Sequence, residues 1–312
     1  MKLVSYRISN SLTAYRIGAF YKGKVTDLNE AYRQMKRIQQ EEDSAYAADQ
    51  LLPPTPGEFF ALGELGMQRA RETYNFLINE QLTNVSYGRE QVTLGPPVPN
   101  PSKIICVGKN YLDHVEEMDG NAPDFPVLFA KFNNALIGPD DDIKKSPITN
   151  KLDYEVELAV VIGKEATNVK EEEALNYVAG YTIGNDTSAR DLQKRTPQWL
   201  QGKSMDKSTP IGPWVVTTDE LKDPTKLDVK SYVNGELRQS SNTKHLIFNL
   251  RHLIAFISEI MTLQPGDIIL TGTPDGVGFA MDPPQFLKDG DQITMEIEGI
   301  GKLENKIVEY DK

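Results

Sequence analysis

The stretch Asp153-Tyr154-Glu155-Val156-Glu157-Leu158-Ala159-Val160-Val161-Ile162-Gly163 decides how this chain folds. In a β-strand alternate side chains share a face, so Glu155 and Glu157 point the same way. Ala159 and Val161 continue that face, while Tyr154, Val156, Leu158 and Val160 occupy the other. Such a strand has no wet side; it is a mostly buried strand with two carboxylates at one end. Two like charges side by side repel and resist desolvation, so they need a shared cation or access to solvent. The plainer reading of the same pattern is a strand end emerging into water.

The rest of the chain sets the context. At 312 residues it suffices for one large domain or two ordinary ones. Charged residues at 25% and hydrophobic ones at 39% describe a globular protein, and no apolar run approaches the roughly 20 residues of a membrane helix. The first ten residues lack an apolar signal core and read as a first strand. Cys106, the lone cysteine, permits no internal disulfide, which suits the cytoplasm; within Ile104-Ile105-Cys106-Val107 it reads as an inert core thiol. A net charge of −11 argues against nucleic acid and anionic membranes as partners. Any site for an anionic substrate must therefore supply local positive charge from metal, Lys or Arg.

Strand-like segments near Lys2–Arg7 and Thr13–Tyr21 lead into helical stretches near Glu30–Gln50 and Leu62–Glu80, separated by Pro53-Pro54-Thr55-Pro56-Gly57. The proline-rich run Gly95–Pro101 marks the expected boundary between a small N-terminal α+β domain, residues 1–98, and a catalytic core, residues 99–312. The core reads as α+β but β-rich, with strands at Ile104–Val107, Tyr154–Ile162, Val178–Ile183, Trp214–Thr217, Leu227–Val233, Asp267–Leu270 and Gln292–Ile297. Asn234-Gly235 between alternating runs signals a hairpin. Leu250, Leu253, Ile254 and Ile257 mark a helix to Met261 with Asn249 as N-cap; His252 within it is assigned a structural or surface role. The pattern is neither regular βαβ nor all-helical, which favours a mixed β-sandwich roll.

Three segments could carry chemistry. Asp186 follows a strand in Gly184-Asn185-Asp186; with Glu155 and Glu157 it offers three hard oxygen ligands, a set suited to Mg²⁺ or Mn²⁺ rather than zinc. An Asp in such a turn is otherwise an ordinary turn residue. In Gly108-Lys109-Asn110-Tyr111-Leu112-Asp113-His114-Val115-Glu116-Glu117, Asn110 could cap a short helix that places His114 and Glu117 at i, i+3. A carboxylate beside an imidazole orients it as a general base; the plain alternative is a solvated helix end. Finally, Gly266–Gly278 is an apolar strand running into small residues whose backbone N–H groups, with the Thr273 hydroxyl, form a candidate carboxylate cradle. It matches neither a dinucleotide fingerprint nor a P-loop. Gly202-Lys203-Ser204 mimics a P-loop end, but Pro197 stands where that motif needs glycine. Lys203 remains a candidate cation for an anionic substrate, against a free surface lysine.

These segments, in this order, resemble the fumarylacetoacetate hydrolase superfamily. The resemblance rests on Ile104–His114, Asp153–Gly163, Asn185–Gln193, Gly202-Lys203-Ser204, Val233–Gln239 and Gly266–Pro274, and spans about residues 101–312. It looks closest to the bacterial acylpyruvase and oxaloacetate decarboxylase branch. It implies a Mg²⁺ or Mn²⁺ ion on Glu155, Glu157 and Asp186, and a His114–Glu117 dyad on a lid. It also implies that Lys203, Gln193 and Thr273 hold the substrate carboxylate or developing enolate, with Arg190 contributing or supporting the site. A homodimer is the expected assembly.

The implied reaction is metal-dependent cleavage of the C3–C4 bond of a small 2-oxo acid through a metal-bound pyruvate enolate. An acylpyruvate would be hydrolysed by water that His114 activates; oxaloacetate would lose CO₂ without water attack. The alternatives are an isomerase or hydratase of 2-hydroxy-dienoates and a metal-binding, non-catalytic interaction protein.

Overall fold

The computed structural model describes residues 1–80, 84–118 and 120–310. The strand Val156–Ile162 is buried at every position and runs through a large mixed sheet, antiparallel to Val178–Asn185 on one side and to Ile268–Leu270 on the other. Beyond Ile268–Leu270 the sheet continues through Ile104–Gly108 to Val127–Lys131; beyond Val178–Asn185 it continues through Thr209–Thr217 to Lys2–Ile8. Lys2 pairs with Val216, so the first strand of the chain joins the sheet that carries the acidic strand.

A second sheet of five strands, ordered Glu236–Asn242, Asp228–Val233, Gln292–Ile297, Gly301–Glu309 and Ile143–Lys145, faces the first. Val160, Tyr181, Val229, Ile293 and Leu303 meet in the core between the sheets, which the helix Leu250–Ile260 closes with Leu253, Ile254 and Ile257. On the far face Ala159, Val161 and Ile268 pack against Phe59, Phe60 and Met67 from the N-terminal helices. Cover on both faces is why the central strand is apolar on both sides, as strands buried in this way are. The protein is thus strand-rich, a mixed two-layer sheet structure flanked by helices, and no helix among the described residues is long and apolar enough to cross a membrane.

Local signals explain most element ends. Asn234 and Gly235 adopt φ of 51° and 81° and join two antiparallel strands, as the hairpin signal requires. The Asn249 side chain accepts the backbone N–H groups of Arg251 and His252. His252 lies on the surface, its Nδ1 2.5 Å from Glu171 and its ring stacked on Phe248.

Two expectations need correction. The single helix near Glu30–Gln50 is three helices, Leu28–Ile38, Glu42–Tyr46 and Ala48–Leu51. Its start is set by Asp27, whose carboxylate accepts the Glu30 N–H at 2.8 Å, and its first segment ends where Gln40 turns to φ 62°. The strand Gly301–Glu309 was not anticipated, although Leu303, Asn305 and Ile307 alternate inward; the buried Asn305 amide donates to the carbonyls of Gly138 and Asp141.

Candidate metal and catalytic centre

The antiparallel register sets Val156 opposite Asn185 and Glu157 opposite Gly184, and the Asp186 N–H donates to the Glu155 carbonyl at 2.9 Å. Carboxylate oxygens of Glu155, Glu157 and Asp186 all lie within 4.8 Å of one another, and all three residues are buried. The strand end does not emerge into water.

Three cations from three other segments enter this cluster. Lys203 Nζ donates to Glu155 Oε2 and Asp186 Oδ2, both at 2.7 Å. Lys131 Nζ donates to Asp186 Oδ1 at 2.8 Å and to the Thr187 carbonyl at 3.1 Å. Arg190 forms ion pairs at 2.8 Å with both Asp153 and Glu155. Burial alone would raise the Glu155 carboxyl, but Lys203 and Arg190 overcome it and hold Glu155 well below the usual carboxylate range. Glu157 is the reverse case. Burial, then Asp186 and Glu155, push it well above that range, opposed by Lys203 at a distance and by the Gly272 N–H on its Oε2 at 2.8 Å.

Such a cluster fits a hard divalent cation. It offers only carboxylate oxygens close together, and the push of Glu157 toward its protonated form is one that a dication would reverse. Glu155, Glu157 and Asp186 would hold Mg²⁺ or Mn²⁺, and the donor set does not choose between the two.

The expected His114–Glu117 pair forms on the short helix Leu112–Glu117, with His114 Nδ1 2.7 Å from Glu117 Oε1. Asn110, anticipated as the cap of this helix, is not one. The helix starts after Tyr111 without a side-chain cap, and the fully buried Asn110 amide donates to the carbonyls of Thr271 at 2.7 Å and Phe248 at 3.1 Å. Asn110 therefore ties the segment before the helix to the loop after Ile268–Leu270. The larger gain from the long-range ties explains the choice, because an orphaned buried amide costs more than an exposed cap contributes.

His114, Glu155, Glu157, Asp186, Arg190, Gln193, Lys203 and Thr273 line one cavity of about 90 Å³, with Val115, Met118, Phe129 and Trp199 supplying apolar wall. Glu117 stands behind His114. Gln193 turns its carbonyl oxygen to Arg190 Nη1 at 3.1 Å, which leaves its amide NH₂ for the cavity. The helices bearing Gln193 and Lys203 come this close because Gly202 has no side chain; a Cβ there would lie 2.6 Å from Gln193. Thr273 Oγ1 accepts from Gln239 Nε2 at 2.8 Å, leaving its O–H to donate.

The glycine loop does cradle carboxylates, but they are the protein's own. Gly272 N–H binds Glu157, Gly276 N–H binds Glu117 Oε2 at 2.9 Å, and Gly278 N–H binds Asp153 Oδ1 at 2.8 Å. Lys131, Asp153 and Gln239 escaped the sequence reading. Lys131, a charge closing the run Val127-Leu128-Phe129-Ala130-Lys131, was the most visible of them.

Comparison with known proteins gives the family. The family model for the C-terminal part of fumarylacetoacetate hydrolases matches residues 103–308. The chain is 45% identical over 261 residues to the rat (Rattus norvegicus) protein named oxaloacetate tautomerase Fahd2a, mitochondrial, covering 83% of this chain and 82% of the relative. It is 40% identical over 312 residues to the Xenopus laevis protein named oxaloacetate tautomerase fahd2, mitochondrial, covering 99% and 90%. Among solved structures, the fumarylacetoacetate hydrolase of Exiguobacterium antarcticum superposes with a TM-score of 0.78 at 36% identity, over 99% of this chain and 100% of that one. Maleylpyruvate hydrolase of Sphingobium sp. SYK-6, solved with a manganese(II) ion and pyruvate, superposes with a TM-score of 0.74 at 27% identity over 100% of both chains. With that match and those relatives, this chain belongs to the fumarylacetoacetate hydrolase family and is one of its enzymes.

Proposed function

We propose that the chain is a divalent-cation-dependent enzyme of short 2-oxo acids that makes and quenches an enolate at C2–C3, and that its first reaction is enol–keto interconversion of oxaloacetate. One observation carries the reading: His114, backed by Glu117 at 2.7 Å, shares a small cavity with the buried carboxylate cluster. The names of the relatives at 40–45% identity support oxaloacetate as substrate.

When bound, Mg²⁺ or Mn²⁺ supplies electrophilic stabilisation to the carboxylate and C2 oxygen of a 2-oxo acid. The protein's own residues do the rest. Lys203 adds fixed positive charge where the C2 oxygen becomes negative. Gln193 and Thr273 present N–H and O–H donors that orient the substrate carboxylate, and Arg190 holds Glu155 and Gln193 in place. With Nδ1–H directed at Glu117, His114 offers Nε2 as the base that takes a proton from C3 of the keto form and delivers it to the C2 oxygen of the enol, the reverse direction moving it back to C3. Val115, Phe129 and Trp199 exclude water, so the enolate is reprotonated rather than lost.

A second reading is C3–C4 cleavage, by acylpyruvate hydrolysis or oxaloacetate decarboxylation. It develops negative charge on the same C2 oxygen, here as the enolate of pyruvate once C4 has left, and is supported by the neighbour solved with manganese(II) and pyruvate. The decisive assay follows loss of enol-oxaloacetate and release of pyruvate, from oxaloacetate and acetylpyruvate, with Mg²⁺ or Mn²⁺ and with EDTA. Metal-dependent tautomerisation without pyruvate supports the first reading, and metal-dependent pyruvate release moves the assignment to cleavage. Neither activity overturns both. A homodimer and a reducing compartment belong to the same proposal, the latter because Cys106 is buried and has no cysteine to pair with.

A further inference from the structure

The loop after Ile268–Leu270 sits between the two halves of the centre. Its Gly272 N–H holds Glu157 of the carboxylate cluster, and four residues later its Gly276 N–H holds Glu117 of the histidine pair. The Gly276 peptide is itself fixed from the far side, where Tyr154 donates its hydroxyl proton to the Gly276 carbonyl at 3.1 Å. Tyr154 directly precedes Glu155, so the loop and the acidic strand are tied at both ends.

Gly276 is at φ 91°, and a Cβ there would stand 2.1 Å from the Arg238 carbonyl oxygen, so no side chain fits without moving the peptide. Its N–H meets Glu117 Oε2 while His114 Nδ1 meets Oε1. With the Gly276 N–H donating to Oε2, a Glu117 carboxylate that also accepts at Oε1 places the proton on the imidazole nitrogen facing it. Nε2 is then left as the unprotonated nitrogen. One backbone amide is thus placed to act on the tautomer of His114 through Glu117.

From this geometry we infer that Gly276 and Tyr154 are positioning residues of the His114–Glu117 pair, which fix the Nδ1–H tautomer and lock the pair in register with the carboxylate cluster. The inference rests on the role given to His114 under the proposed function, but its principal readout needs no substrate. Nothing in the positioning requires Gly276 or Tyr154 to touch the substrate.

The test is ¹⁵N NMR of the 312-residue chain, whose sequence holds three histidines, comparing wild type with Gly276→Ala and Tyr154→Phe. Neutral His114 should show Nδ1–H and bare Nε2 in the wild type and move toward the other tautomer in both variants. In oxaloacetate turnover, kcat should fall about tenfold for Gly276→Ala and about threefold for Tyr154→Phe, with KM within about twofold, as expected of a misaligned base. An unchanged His114 tautomer in the folded variants overturns the inference. Should Gly276→Ala fail to fold, Tyr154→Phe, which deletes one hydroxyl, decides alone. If the tautomer shifts but wild-type protein does not act on oxaloacetate, the substrate assignment falls and the positioning role stands.

Discussion

The Lys203 ammonium lies 2.7 Å from Asp186 Oδ2, and both side chains are buried. Burial disfavours this charge, but Asp186 and Glu155 outweigh it and push Lys203 above its ordinary range, so it stays charged at any working pH. The ammonium competes with a dication for the very oxygens that would bind one, while in the proposed reaction it supplies charge for the enolate. Metal affinity and catalysis should therefore separate in Lys203→Met. Dication affinity measured by calorimetry is expected to tighten by about tenfold, since removing one nearby charge is worth on the order of 1.4 kcal/mol. By contrast, kcat should fall by about a hundredfold or more, as when a fixed electrostatic donor is lost. Weaker dication binding in this variant would contradict the competition.

Glu157 makes metal binding depend on pH. Its folded-state pKa is raised well above the ordinary carboxylate value of 4.5 by burial, Asp186 and Glu155. Without metal, a raised carboxyl favours the folded state below about pH 4.5 and loses that contribution as pH rises toward the folded pKa. A dication binds the ionised form, so it removes the penalty and displaces a proton. The gain in melting temperature on adding Mn²⁺ to EDTA-treated protein should grow from about pH 5 to pH 8, and calorimetry in buffers of different ionisation heat should show proton release. Glu157→Gln should lose both effects and leave the metal-free protein more stable near neutral pH. A metal-induced gain that stays flat across this range would sink the assignment.

His114→Ala separates the two readings of the reaction. Proton transfer at C3 needs the base, and loss of a general base costs about 10²–10⁴-fold. Decarboxylation of oxaloacetate needs no water activation, so any pyruvate release should survive in part. Dication binding should stay close to wild type, because His114 is not among the three carboxylates. Parallel loss of both reactions, with metal still bound, would count against this division of labour.

What could be read in advance had local causes. Glu155 and Glu157 alternate on one strand, and His114 and Glu117 share one helical turn, so spacing alone brings each pair together. Asn249 and Asn234-Gly235 act on their immediate neighbours. Lys131 meets Asp186 across 55 residues, and Gln239 reaches Thr273 across 34, joining strands whose pairing no local pattern specifies. The glycine loop was legible as a row of exposed amides, but not its targets, because Glu157, Glu117 and Asp153 reach it only in the assembled sheets. Asn305 hid a strand for a related reason: a polar residue at an inward position breaks the alternation, and its partners Gly138 and Asp141 lie far along the chain.

Lys131 yields the sharpest test of how the cluster is balanced. Its side chain is fully buried and spans Asp186 Oδ1 and the Thr187 carbonyl, at 2.8 and 3.1 Å. Met has nearly the same length and no charge. In the metal-free protein Lys131→Met would leave Asp186 with one fewer cation beside Glu155 and Glu157, and breaking a buried pair from one side costs about 3–5 kcal/mol. Denaturant unfolding in EDTA should register that loss. Saturating Mn²⁺ should recover a large part of it, because the ion replaces the missing charge at the same oxygens, and the recovery should grow with metal concentration. Asp186→Asn in the same background should restore metal-free stability and abolish the recovery by Mn²⁺, since it removes the orphaned charge together with a ligand. If Mn²⁺ stabilised Lys131→Met no more than it stabilises the wild type, Lys131 would be filling space rather than balancing charge.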